Sequence, residues 1–224
     1  MVKLLFNGVY ILQTTDAIFV WEHPFYPQYY LPKSALIESS KHTSLQLTEG
    51  DAFLTEDGKK VGRQLTLTVG DRSTDQAIAF SDDLTGSAAE LKGLVKIDFA
   101  SIDQWFEEDT PMFVHPKDPF KRVDVFQSRR HIRVFVEGEV VADTTTSAHL
   151  YETMLPARYY MPLTAVRPDV LRPSKTRTQC PYKGEAEYYS VEVNGKLHKD
   201  IVWFYNTPTI ESALVTGLVC CEFP

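Results

Sequence analysis

Strict alternation of apolar and polar positions is the commonest pattern along this chain. His131-Ile-Arg-Val-Phe-Val136, then Glu137-Gly138, then Glu139-Val-Val-Ala-Asp143 reads as two strands joined by a tight glycine turn. Leu4 to Leu12, around Asn7-Gly8, repeats that hairpin with the dipeptide such turns prefer. Further strands are predicted at Ala17 to Trp21, Ser147 to Tyr151, Arg63 to Val69, Tyr188 to Val193, Ala77 to Phe80 and Ile201 to Tyr205. Helical periodicity is confined to Ser87–Leu94 and Ile210–Gly217, roughly two turns each. Proline is scattered at loop positions such as Pro24, Pro27, Pro156 and Pro208, which favours many short strands. The pattern predicts an all-β, mostly antiparallel fold with short helical turns.

The pattern also occurs twice. Gly8, Glu22, Tyr29, Tyr30, Pro32 and Ala35 recur as Gly138, Glu152, Tyr159, Tyr160, Pro162 and Ala165, at a constant offset of about 130 residues. After a slip of about six residues, Leu65, Leu67, Val69, Ala77, Ile78, Phe80, Gly93, Leu94, Val95 and Phe99 align with Tyr189, Val191, Val193, Ile201, Val202, Phe204, Gly217, Leu218, Val219 and Phe223. Two tandem domains follow, residues 1–104 and 129–224, with 105–128 between them. That connection carries aromatics, charges and three prolines, which predicts an ordered segment and packing of the two repeats against each other.

Composition narrows the partners. A net charge of −7 argues against nucleic acid, whose phosphates draw affinity from clustered Lys and Arg. No stretch approaches the length of apolar sequence a membrane span needs, and the first residues do not resemble a secretory signal, so a cytoplasmic location is expected. Three cysteines, two of them adjacent, do not form a disulfide framework or a zinc site. The carboxylates around His115 in the connection (Glu107, Glu108, Asp118, Asp124) fit a salt-bridged linker without a metal. Phosphate-loop and dinucleotide patterns are absent, and no cofactor is expected.

The second repeat concentrates the chemistry. Glu152 closes an otherwise apolar strand, where partial burial tunes a carboxylate for proton transfer. Lys183 is its natural counter-charge, Tyr160 joins them, and Cys180 lies three residues before Lys183 on a turn, where an ammonium favours a thiolate. Thr178, Tyr188, Trp203 and Tyr205 are candidate substrate-binding residues, with Glu22 and Tyr30 as their first-repeat relatives. Each has a plainer reading: Cys180 as a small buried hydrophobe, Glu152 with Lys183 as a structural ion pair, Trp203 and Tyr205 as core. In gapless alignment the first repeat places Ala79 opposite Trp203 and Ser81 opposite Tyr205, and it lacks the Cys-x-x-Lys turn. The second repeat is therefore the expected site, and the first a degenerate copy. The expected function is small-molecule acid–base chemistry of lyase, isomerase or cyclase type; the alternative is a non-catalytic small-molecule-binding or interaction module.

At these residues the chain resembles the family of bacteria and fungi called domain of unknown function four-twenty-seven. The resemblance rests on Gly138-Glu-Val-Val-Ala-Asp-Thr144, Tyr151-Glu152, Arg158-Tyr-Tyr-Met-Pro162, Thr178-Gln-Cys-Pro-Tyr-Lys-Gly184 and Trp203-Phe-Tyr205. Trp105-Phe-Glu-Glu108, His115-Pro-Lys-Asp-Pro119 and Arg122-Val-Asp124 look like the version with two fused domains. It implies a β-tent-like (Mss-like) domain, similar in topology to methionine sulfoxide reductase B. The zinc knuckle of such relatives needs paired cysteines that this sequence lacks. A label of nucleotidyl transfer given to the family finds no paired aspartates beside a Gly-Ser loop here. A further expectation is that the second repeat lacks the tail that follows the first.

Overall fold

The computed structural model describes residues 1–222; Phe223, the aligned partner of Phe99, lies outside them. The chain divides into two compact units, Met1–Asp118 and Pro119–Pro224. Both are mostly antiparallel β.

Unit 1 opens with β1 (Val2–Phe6) and β2 (Val9–Thr14), then β3 (Ile18–His23), β4 (Tyr26–Pro32) and α1 (Lys33–His42). It continues with β5 (Leu45–Leu54), β6 (Lys60–Val69), β7 (Arg72–Thr74), β8 (Ala77–Phe80), β9 (Leu94–Ile97), β10 (Gln104–Glu107) and β11 (Thr110–Met112). Unit 2 holds β12 (Val123–Ser128), β13 (Ile132–Val136), β14 (Glu139–Thr144), β15 (Ser147–Glu152) and β16 (Arg158–Pro162). Its remaining strands are β17 (Leu171–Cys180), β18 (Gly184–Val193), β19 (Lys196–Phe204) and β20 (Leu218–Cys221).

One plan serves both units. The large sheet runs β3-β4-β9-β8-β6-β5 in unit 1 and β15-β16-β20-β19-β18-β17 in unit 2, with β12 added beside β15. The predicted hairpins are β1–β2 and β13–β14, and their turns hold Asn7 and Gly8 at φ 46° and 75°, and Glu137 and Gly138 at 50° and 80°. Two left-handed residues match the right-handed twist of the flanking strands. The segment 105–128 is built into both units: β10 and β11 extend the β1–β2 sheet, and β12 is an edge strand of unit 2.

Three details differ from the sequence reading. The six-residue slip falls at α1, because Leu47 pairs with Leu67 and Leu171 with Val191 at the later offset. Unit 2 replaces this ten-residue helix with two 3-10 turns, Leu163–Ala165 and Pro168–Val170. Pro168 removes a backbone donor and clashes with the preceding turn, so a helix cannot run through it. The two segments expected to be helical, near Ser87 and Ile210, are likewise 3-10 turns.

The third difference concerns register. Ala79 pairs with Val95, whereas Phe204 pairs with Val219, so Phe80 rather than Ser81 corresponds to Tyr205 and Ile78 rather than Ala79 to Trp203. β19 carries one more residue in the irregularity near Asp200, which sits at φ 57°. A bulge of this kind displaces the rest of its strand by one position, with the offset regained before β20, and gapless alignment cannot register it.

Period two then sorts the large sheet of unit 2 into two faces. Met161, Val191, Val193, Val202, Val219 and Cys221 form a core with Val134 and Val141 of the hairpin. Ala148, Leu150, Tyr160, Ala186, Tyr205 and Cys220 form the opposite face, joined by Val215. The candidate site is on this second face.

Candidate functional site

Glu152 ends β15 on the same face as Ala148 and Leu150, so alternation aims its side chain at the apolar core. Its side chain is only 5% exposed, and such a charge requires partners. It has two. Lys183 Nζ donates to Oε2, and Lys121 lies 3.2 Å from Oε1.

The two lysines arrive from different directions. Lys183 occupies the turn between β17 and β18, where its amide donates to Cys180 O at 3.3 Å and its carbonyl accepts from Thr209 N at 3.2 Å. Gly184 follows at φ 94°, with Thr207 O 3.2 Å from where a Cβ would stand, so the turn has little room for a larger residue. Lys121 lies two residues before Val123, the residue paired with Glu152 across β12 and β15, and its ammonium lies over the Tyr182 ring at 5.1 Å.

Aromatic residues complete the site. Trp203 Nε1 donates to Tyr160 Oη at 3.1 Å, and the Tyr160 and Tyr205 rings lie 6.5 Å apart. Burial pushes both phenols well above the ordinary tyrosine range, so both stay neutral and able to donate. Tyr159, the other half of the Tyr-Tyr pair, faces away and meets the His149 ring edge-on at 4.7 Å.

The site contains a cavity of about 270 Å³. Of the sequence-predicted residues, Glu152, Lys183, Tyr160, Tyr188, Trp203 and Tyr205 line it. Thr178 and Cys180 are not among its lining residues: Thr178 holds the Tyr188 hydroxyl at 2.7 Å, and Cys180 is half-buried on its turn. Sequence reasoning missed Arg158 and Lys121. Arg158 lies two residues before Tyr160, which places it on the cavity face by period two. Lys121 left no such trace, because only the β12–β15 pairing carries it to Glu152.

Glu22 and Tyr30 form a smaller version in unit 1. Tyr30 donates to Glu22 at 2.8 Å, stacks on Phe80 at 5.2 Å, and Lys96 supplies the ammonium. Lys96 stands where unit 2 has Cys220, so the counter-charge is the same in kind while its position differs. Exposure separates the copies: the Glu22 and Lys96 side chains are 34% and 29% exposed, against 5% and 12% for Glu152 and Lys183.

The acidic residues around His115 disperse. Glu107 accepts from Tyr29, Glu108 pairs with the Met1 amine, Asp118 accepts from Trp21, and Asp124 pairs with Arg122. Among the described residues, no group of three or more His, Cys, Asp or Glu is placed to hold a metal ion.

The family model described as domain of unknown function (DUF427) matches residues 1–108 and again 124–223. The chain belongs to this family, in a tandem arrangement of two copies. A search of curated proteins finds no match. No helix among the described residues is long and apolar enough to cross a membrane.

Proposed function

We propose that unit 2 is a small-molecule enzyme that uses acid–base chemistry of lyase, isomerase or cyclase type. The observation that supports this most is the convergence of a buried Glu152–Lys183 pair and two neutral phenols, Tyr160 and Tyr205, on one cavity. Lys183 and the phenols would donate to a developing oxyanion, a role that requires pre-oriented donors away from water. Because Trp203 Nε1 fills an acceptor position on Tyr160, the Tyr160 proton is left to donate to a ligand. Glu152 would move the proton, releasing one lysine as it does so. Nucleophilic attack by Cys180 is the less supported variant, since Cys180 is not among the residues lining the cavity.

One observation favours a binding module instead: both Glu152 oxygens are already engaged by ammonium groups. A melting-shift screen of small carbonyl compounds, followed by mass spectrometry of each ligand after incubation, separates the readings. Conversion of a stabilising ligand supports the enzyme. Recovery of every ligand unchanged overturns it and leaves the binding module.

A further inference from the structure

Arg158 has no role in the proton chemistry, and its surroundings define one. It lines the cavity, its guanidinium lies 5.4 Å from the centre of the Trp203 ring, and among the described residues it forms no ion pair. Every other cation at the site is committed: Lys183 and Lys121 both serve Glu152. An arginine held against an indole has lost much of its freedom and still presents a planar fork of donors suited to an oxyanion.

The pairing of charges favours a singly charged ligand. Arg158 and Lys183 stand against Glu152 and Glu222 in the lining, and Lys121, outside the lining, adds a second cation on Glu152, so Arg158 is the lining cation that forms no ion pair among the described residues. A monoanion would neutralise it, whereas a phosphate dianion would overshoot. The remainder of the wall is Leu155, Pro156 and four aromatic residues, of which Tyr188, Trp203 and Tyr205 offer flat apolar surface. At about 270 Å³ the cavity lies at the small end of ligand sites.

Resting on the reading of this cavity as a small-molecule site, we infer that its ligand is a small monocarboxylate with a planar, conjugated or aromatic body. Arg158 takes the carboxylate, the body lies along Trp203 and Tyr188, and the reacting end points toward Lys183 and Glu152. Arg158 is thus the specificity determinant for the acid.

The test uses trans-cinnamate, its neutral analogue cinnamamide, and phenyl phosphate as probes of the full chain. The readout is the Trp203 indole N–H cross-peak in a ¹⁵N correlation spectrum, assigned by its loss in Trp203→Phe. Cinnamate is expected to shift that peak and bind about tenfold or more tightly than cinnamamide, about the discrimination one charge-assisted hydrogen bond provides. Arg158→Gln should abolish the preference and Arg158→Lys restore part of it, the dispersion of the spectra confirming that both variants fold. Equal binding of acid and amide, persistence of the preference in Arg158→Gln, or tighter binding of phenyl phosphate than of cinnamate overturns the inference. So does no response to any probe. The acid–base reading survives each of those outcomes, because it is decided by turnover of whichever ligand the melting screen finds.

Discussion

Lys183 and Glu152, 31 residues apart in the chain, meet as a hydrogen-bonded ion pair with side chains only 12% and 5% exposed. The attraction between such groups offsets their desolvation only while both are present. Glu152→Gln strands two ammonium groups and should lower stability by about 3–5 kcal/mol, whereas Lys183→Met leaves Glu152 paired with Lys121 and should cost less. Glu152→Gln combined with Lys183→Met should cost less than the sum of the single changes. Urea unfolding of the four proteins checks this, and strict additivity would show that the pair is uncoupled.

The Trp203–Tyr160 hydrogen bond makes a smaller prediction. Tyr160→Phe leaves the indole N–H without its acceptor and should cost about 1–3 kcal/mol. Trp203→Phe, which removes the donor but leaves a hydroxyl facing the cavity, should cost about 1 kcal/mol through that bond, plus the packing that a smaller ring gives up. Thermal melts of both variants read the cost, and a Tyr160→Phe variant as stable as the wild type would contradict the bond.

His149 gives the fold a pH dependence. It is buried at 3% exposure beside Ser147 Oγ at 3.0 Å, and burial, with Arg130 nearby, holds its imidazole below the ordinary value of 6.5. The unfolded chain therefore takes up a proton that the folded chain refuses. Stability from this residue is complete above about pH 6.5 and declines as the pH falls through that value. Urea midpoints measured from about pH 7.5 down to 5.5 should fall in the wild type and fall less in His149→Gln.

The thiols should react in a fixed order. Burial pushes Cys221 up to about 11 and Cys220 higher still, and adjacent positions on a strand send them to opposite faces of the sheet. Iodoacetamide near neutral pH should label half-buried Cys180 first and the other two only after unfolding. Peptide mass spectrometry reads the order, and equal labelling of all three would contradict the packing.

Hairpins and sheet faces are legible in the sequence because they depend on local chemistry: Asn7-Gly8 and Glu137-Gly138 specify turns, and alternation separates Tyr159 from Tyr160. Helix α1 is hidden because only Leu36 along it is fully buried, so its sequence shows little apolar stripe. The register of Trp203 and Tyr205 escapes a gapless comparison because one bulged residue near Asp200 shifts the rest of β19. With Phe80 opposite Tyr205 and Lys96 serving Glu22, the first repeat keeps more of the site than gapless alignment allows. Its distinguishing weakness is exposure. Lys121 and Lys96 cannot be read as partners from sequence at all, since pairing distant strands brings each to its carboxylate.

The most direct test of the central claim is turnover of a ligand found by the melting screen, compared between the wild type and folded Lys183→Met. Acid–base chemistry in the unit 2 cavity predicts that Lys183→Met lowers the rate about 100- to 1000-fold, the usual cost of removing one oxyanion donor. Wild-type turnover by Lys183→Met would contradict it.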